Sequence, residues 1–191
     1  MSGPACRLGM LPGLQRASGA LARLELVASG VCLAVVFLLL LLNIVTRSLG
    51  QALFWVDEAA ITAMVWMAFF AALVGLQARS NIAVTLLADA VPVTVRRWLA
   101  VLVDVILLLF LIALTVMLWR WFAPVAIWRA GGDMQAFAQR TFNFMYQEPT
   151  LTLGIHKVWL WLILPLFALA GLVHGAANLD DSLGRAFRGE G

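Results

Sequence analysis

Few residues of this 191-residue chain are equipped for chemistry, and their spacing argues against most of it. The two histidines, His156 and His174, would sit about 27 Å apart along a single helix. They cannot ligate one haem together, and there is no further histidine for bis-imidazole ligation. The two cysteines, Cys6 and Cys32, have no spacing that suggests a metal site, a redox pair or a disulfide framework. No zinc pattern, phosphate loop or nucleophile elbow is present, so the residues point away from an enzyme and call for no cofactor. Asp104 is different. It is an acidic residue well inside an apolar run, and a carboxylate at membrane depth is a functional candidate by default. Its expected partners at that depth are His174, Gln77, Ser29 and Arg79. It can serve either as a hydrogen-bonded clasp between helices or as a proton-coupled site.

The elements that must position these residues are four long apolar runs, roughly Leu24 to Val45, Ala59 to Leu76, Trp98 to Trp119 and Val158 to Ala177. Each has about 20 residues, enough to cross a ~30 Å hydrocarbon layer as a helix. Backbone polar groups have no water partner there, so each run must satisfy its own hydrogen bonds. Hydrophobic residues make up 63% of the chain and charged residues 12%, far from a soluble composition. The expected fold is therefore an all-α membrane protein with four transmembrane helices and a short amphipathic surface helix. The first run is too long for a signal-peptide core and is read as a retained span. Three segments follow from this: a flexible cytoplasmic tail over 1–23, a four-helix membrane domain over 24–178, and a cytoplasmic tail over 179–191.

Charge sets the expected orientation. Arg7, Arg16 and Arg23 precede the first span, Arg79, Arg96 and Arg97 lie between spans two and three, and Arg185 and Arg188 follow the last. The positive-inside rule places all three segments, and so both termini, in the cytoplasm. The net charge of +3 comes from arginines scattered near span ends, with no basic block that would suit nucleic acid.

Several span ends carry residues suited to interfaces. Asn43 and Arg47 are four apart and share a helix face, as an interfacial pair or as a contact to another subunit. Trp55, Asp57 and Glu58 open the second span, where acidic groups complement the helix dipole and Arg47 can fold back onto either of them. Within that span Trp66, Phe69 and Phe70 are large, while Ala68, Ala71, Ala72 and Gly75 permit close approach of a neighbouring helix. The connection that follows places Ile82, Leu86 and Ala90 on one face of a short surface helix, stopped by Pro92. Beyond Trp119, a cluster of Arg120, Trp121, Trp128 and Arg129 reads as an interfacial belt, with the helix either continuing or breaking at Pro124. Gly131 and Gly132 should turn the chain. Asp133 should cap an amphipathic helix whose apolar face runs from Met134 to Met145 and whose polar face carries Arg140. Pro165 should kink the last span.

In this order and spacing the residues resemble a known family. They are Asn43 with Arg47, Trp55 with Asp57 and Glu58, Trp66 with Phe69 to Ala72, the arginine-bearing turn into Ile82 to Val84, LLADAVPVTVRRWL, Leu153 to Ile155, Trp159 and Pro165. Together they resemble the DctQ family, the small membrane subunit of TRAP (tripartite ATP-independent periplasmic) transporters. The resemblance spans roughly Leu24 to Ala177. The chain departs from the family at Asn81 and Thr85, where histidine and aspartate are common. The resemblance implies a bacterial inner-membrane subunit that braces a large membrane subunit. That partner would carry the substrate and sodium sites, while a periplasmic solute-binding protein delivers a substrate, usually an organic acid. Interface or packing roles fall to Asn43, Arg47, Trp55, Glu58 and Trp66. Arg129 and Arg140 become candidate contacts for the binding protein on charge and expected side. The competing reading is a small four-span exporter that uses Asp104 for proton coupling.

Overall fold

A computed structural model describes residues 10–79 and 92–188. The described chain is almost wholly helical. Its elements are α1 (Pro12–Ser48), α2 (Phe54–Ala78), α3 (Val93–Phe122), α4 (Pro124–Arg129), α5 (Met134–Thr141), α6 (Val158–Trp161) and α7 (Ile163–Arg188). Among the described residues the one β-type pairing is an isolated bridge between Pro149 and His156. Four helical stretches are long and apolar enough to span a membrane: Pro12–Ser48, Phe54–Ala78, Val93–Arg129 and Val158–Arg188. The fold is an all-α membrane protein with four such helices. The surface helix expected around Ile82 to Ala90 lies outside the described residues.

The contacts divide the chain into two units. The first comprises Met1–Leu26, Ala71–Leu114 and Ala168–Gly191. The second comprises Val27–Phe70 and Thr115–Phe167.

In the first unit, polar side chains of α7 tie the ends of the other helices. Helix α1 already begins at Pro12, inside the segment expected as a loose tail. The reason is a cap supplied from a distance. Asp180 accepts hydrogen bonds from the Met10 and Leu11 backbone N–H groups, both at 3.1 Å, satisfying donors that a helix start leaves open. Pro12 suits the first helical position because its missing N–H is not needed there. Gln15 Nε2 donates to the Ala177 carbonyl at 2.7 Å. The far end of the chain is likewise helical, through Arg188. Helix α7 meets α3 over a pair of glycines. A Cβ on Gly171 would stand 2.9 Å from Leu111 Cδ2, and one on Gly175 would stand 3.2 Å from Leu111 Cδ1. This is the small-xxx-small contact that packs helices where no hydrophobic drive exists.

In the second unit the connections are built by turn chemistry. The end of α1 is a Schellman cap on Gly50, which has φ 75°, with Gln51 N–H donating to the Thr46 carbonyl at 2.9 Å. The long third helix breaks at Pro124. Ala123 takes φ 41°, since a residue before proline is driven out of the helical region. Gly131 (φ 66°) and Gly132 (φ 79°) then close α4. Asp133 caps α5 by accepting from Gln135 N at 2.8 Å and Ala136 N at 3.1 Å. Helix α5 is shorter than the expected apolar face. It stops at Thr141, Phe142 turns to φ 54° and is exposed, and only Phe137 and Ala138 of the helix are buried. Local side-chain bonding outcompetes the helix: Asn143 Nδ2 donates to the Trp121 carbonyl at 2.7 Å while its Oδ1 accepts from Met145 N at 3.0 Å. The last span is interrupted at Leu162, between α6 and α7, three positions before Pro165.

Candidate functional site

The polar groups of the second unit form two clasps and line two grooves. The first clasp joins the end of α1 to the start of α2. Arg47 Nε donates to Asn43 Oδ1 at 2.7 Å, and its Nη2 donates to Asp57 Oδ2 at 2.9 Å. Asn43 Nδ2 completes the triangle by donating to Asp57 Oδ1. The i, i+4 spacing aligns the two α1 residues on one face, and the Gly50 cap returns the chain so that Asp57 arrives opposite them.

The second clasp is centred on Glu58. Its carboxylate accepts from Leu151 N (3.0 Å), Thr152 N (2.7 Å), Thr152 Oγ1 (2.6 Å) and Leu153 N (3.1 Å). These donors point together because the segment is a hairpin tip. It is closed by Thr150 N to the Ile155 carbonyl at 2.8 Å and by Lys157 N to the Glu148 carbonyl at 2.8 Å, and turned by Gly154 at φ 71°. One acid near the start of α2 thus gathers a loop far along the sequence.

Glu58 and Trp66 share an apolar groove of about 320 Å³ with Ile61, Val65, Lys157 and Leu160. Trp66 Nε1 donates to the Leu160 carbonyl at 3.0 Å, next to the break at Leu162, and its ring meets Phe70 edge-on. Phe69 likewise packs edge-on against Phe167. On α2, Ile61, Met64, Val65 and Ala68 are exposed and recur at helical spacing. Trp55 is 40% exposed, as suits a headgroup-level ring.

The other groove, about 430 Å³, is lined by Arg120, Arg129 and Arg140 with Trp119, Pro124 and Phe137 among its walls. Arg129 and Arg140, on separate short helices, are brought to one place. Tyr146 braces the floor by donating to the Phe122 carbonyl at 2.7 Å and stacking edge-on against Phe137. Burial pushes its phenol up, so it stays a donor.

In the first unit Asp104 is buried and held. Arg79 Nη2 donates to its Oδ2 at 2.9 Å, and the Ser182 hydroxyl donates to the same oxygen. Arg79 also donates to the Asn178 carbonyl, and Asn178 Nδ2 donates to the Leu76 carbonyl at 2.8 Å. Of the four expected partners, Arg79 reaches Asp104. His174 serves another carboxylate instead: its Nε2 lies 3.0 Å from Glu25 Oε2 and its Nδ1 lies 2.8 Å from Ser18 Oγ. With Nε2 donating to Glu25 and Nδ1 accepting from the Ser18 hydroxyl, both contacts are satisfied. Ser29 hydrogen-bonds the Met67 carbonyl at 3.5 Å. Sequence reasoning passed over Glu25, although it lies inside the first apolar run. It also passed over a polar stripe on α7 formed by His174, Asn178, Asp181, Ser182 and Arg185, whose helical spacing was the available signal.

The chain matches the family described as "Tripartite ATP-independent periplasmic transporters, DctQ component" over residues 36–183, well over half its length. The chain belongs to the DctQ family. It is thus a small permease component of a tripartite transporter, a multi-pass protein of the bacterial inner membrane. No curated protein and no solved structure matches it. In this DctQ subunit, Asn43, Arg47, Asp57, Glu58, Leu153, Trp66 and Phe69, among the residues that carried the resemblance, fall in the two clasps and the Trp66 groove. The Asp57–Arg47–Asn43 triangle and the Glu58 cradle each join segments that adjoin the spans.

Proposed function

We propose that this DctQ subunit is the stationary brace of a sodium-driven transporter that takes up an organic acid. A large membrane subunit binds substrate and sodium and moves, and a periplasmic solute-binding protein delivers the substrate. The observation that carries this reading is the state of Asp104. The carboxylate that a proton-coupled exporter would use is engaged by Arg79 and Ser182, as a clasp between helices. Both contacts fall on one carboxylate oxygen, the guanidinium at 2.9 Å and the hydroxyl beside it, so the group is spent on joining helices.

The exposed α2 stripe of Ile61, Met64, Val65 and Ala68 is the proposed seat of the large subunit, because a small residue among aliphatic ones suits helix contact in lipid. Both termini are proposed to be cytoplasmic. In support, Arg16, Arg23, Arg79, Arg96, Arg97, Arg185 and Arg188 all belong to the first unit. The test is co-purification of the tagged subunit with the large subunit from a membrane that expresses both. The wild type is expected to retain it, and Ala68→Trp with Ile61→Lys to lose it. Retention by that double variant would remove α2 from the interface.

A further inference from the structure

We propose that the groove formed by the end of α3 with α4 and α5 binds the headgroup of an anionic phospholipid of the surrounding bilayer, its phosphate met by Arg120, Arg129 and Arg140. Three arginines line one groove of about 430 Å³. Among the described residues none of the three is engaged in a hydrogen bond or an ion pair. The acids of the same stretch of chain are occupied: Asp133 caps α5, and Glu148 pairs with Lys157 at 2.5 Å. The site is therefore a concentrated positive charge with no internal counter-ion. Arginine presents a planar fork of donors that matches phosphate oxygens.

Depth and wall chemistry choose the source of that phosphate. The apolar run of α3 ends at Trp119, and Arg120 follows directly. Trp119 is 62% exposed and Trp128 81% exposed, so the groove lies in an aromatic belt of the kind that marks the headgroup layer. Apart from the arginines its walls are chiefly apolar, including Trp119, Pro124 and Phe137. An amphiphile that carries a phosphate above a glycerol and acyl chains satisfies both halves of this lining. Inorganic phosphate satisfies only one. A soluble acidic protein would have to reach headgroup depth. The arginines expected to face a binding protein are thereby assigned to lipid.

The test uses the full chain in detergent, delipidated and then offered phosphatidylglycerol and phosphatidylcholine with matched acyl chains, with bound lipid counted by native mass spectrometry. The wild type is expected to retain phosphatidylglycerol about tenfold over phosphatidylcholine. Arg120→Gln/Arg129→Gln/Arg140→Gln should abolish the preference. Arg16→Gln/Arg23→Gln/Arg188→Gln, which removes equal charge from other exposed positions, should keep it. The wild-type comparison depends on no variant, so a poorly folding variant leaves it intact. Equal retention of the two lipids by the wild type overturns the proposal. So does an undiminished preference in the groove variant. Full displacement by millimolar inorganic phosphate would make this a free-anion site. Unchanged lipid retention with lost capture of the cognate binding protein would make it a protein contact.

Discussion

The two units of this subunit are held together by different chemistry. Among the described residues, eight of the nine buried polar ones belong to the first unit: Ser18, Glu25, Asp104, His174, Asn178, Asp180, Asp181 and Ser182. There, carboxylates on one helix answer donors on another, as in Glu25 with His174 and Asp104 with Arg79. In the second unit the polar clasps are half-buried or exposed, and aromatic rings meet one another near the surface. Trp66, Phe69 and Trp121 each meet another ring edge-on. Polar bonds between buried helices fix which helices are neighbours, since an unpaired group in an apolar surrounding is costly. Loop clasps at the surface fix where partner-facing segments sit, and water competes with them. The contrast suggests one unit made for internal stability and the other for presenting surfaces.

Breaking the buried pair should have the largest effect. Glu25→Ala leaves the fully buried His174 without the acceptor for its Nε2, and should destabilise by about 3 kcal/mol. Thermal unfolding in detergent measures this. Glu25→Gln keeps an acceptor and should lose much less. Next comes Gly171→Leu, which forces a side chain into the Leu111 contact and should cost about 2 kcal/mol in the same assay. An unchanged unfolding temperature in that variant would mean that α3 and α7 do not meet at the glycine pair.

Glu58→Ala should act locally. The donors of Leu151, Thr152 and Leu153 lose their acceptor, so amide exchange and proteolysis at the hairpin tip should rise while the global transition stays in place. A matching drop in global stability would erase the distinction between the units. Arg47→Ala should be smallest, about 0.5 kcal/mol, because the side chains of its ion pair with Asp57 are 58% and 44% exposed. High salt should suppress even that difference.

The spans were legible because apolar length alone dictates a membrane helix, and the Trp and Arg clusters at their ends are equally direct. The Asn43–Arg47 pair and the cap at Asp133 were legible because both are local in sequence. What escaped depended on distant residues. The helix runs on from Pro12 because Asp180 caps it from the other end of the chain. No local pattern announces that. Likewise the apolar face of α5 suggested a helix reaching Met145, but Asn143 bonds to the Trp121 carbonyl and ends it. Glu25 was hidden by a polar partner on α7, a helix whose C-terminal part reads in sequence as a solvated tail.

Uptake by proteoliposomes tests the central claim most directly. A labelled organic acid and a sodium gradient are offered to vesicles that hold this subunit alone, and to vesicles that hold it with the large membrane subunit and the binding protein. The account predicts background accumulation in the first and sodium-dependent accumulation in the second. Gradient-driven transport by the subunit alone, abolished by Asp104→Asn, would contradict it.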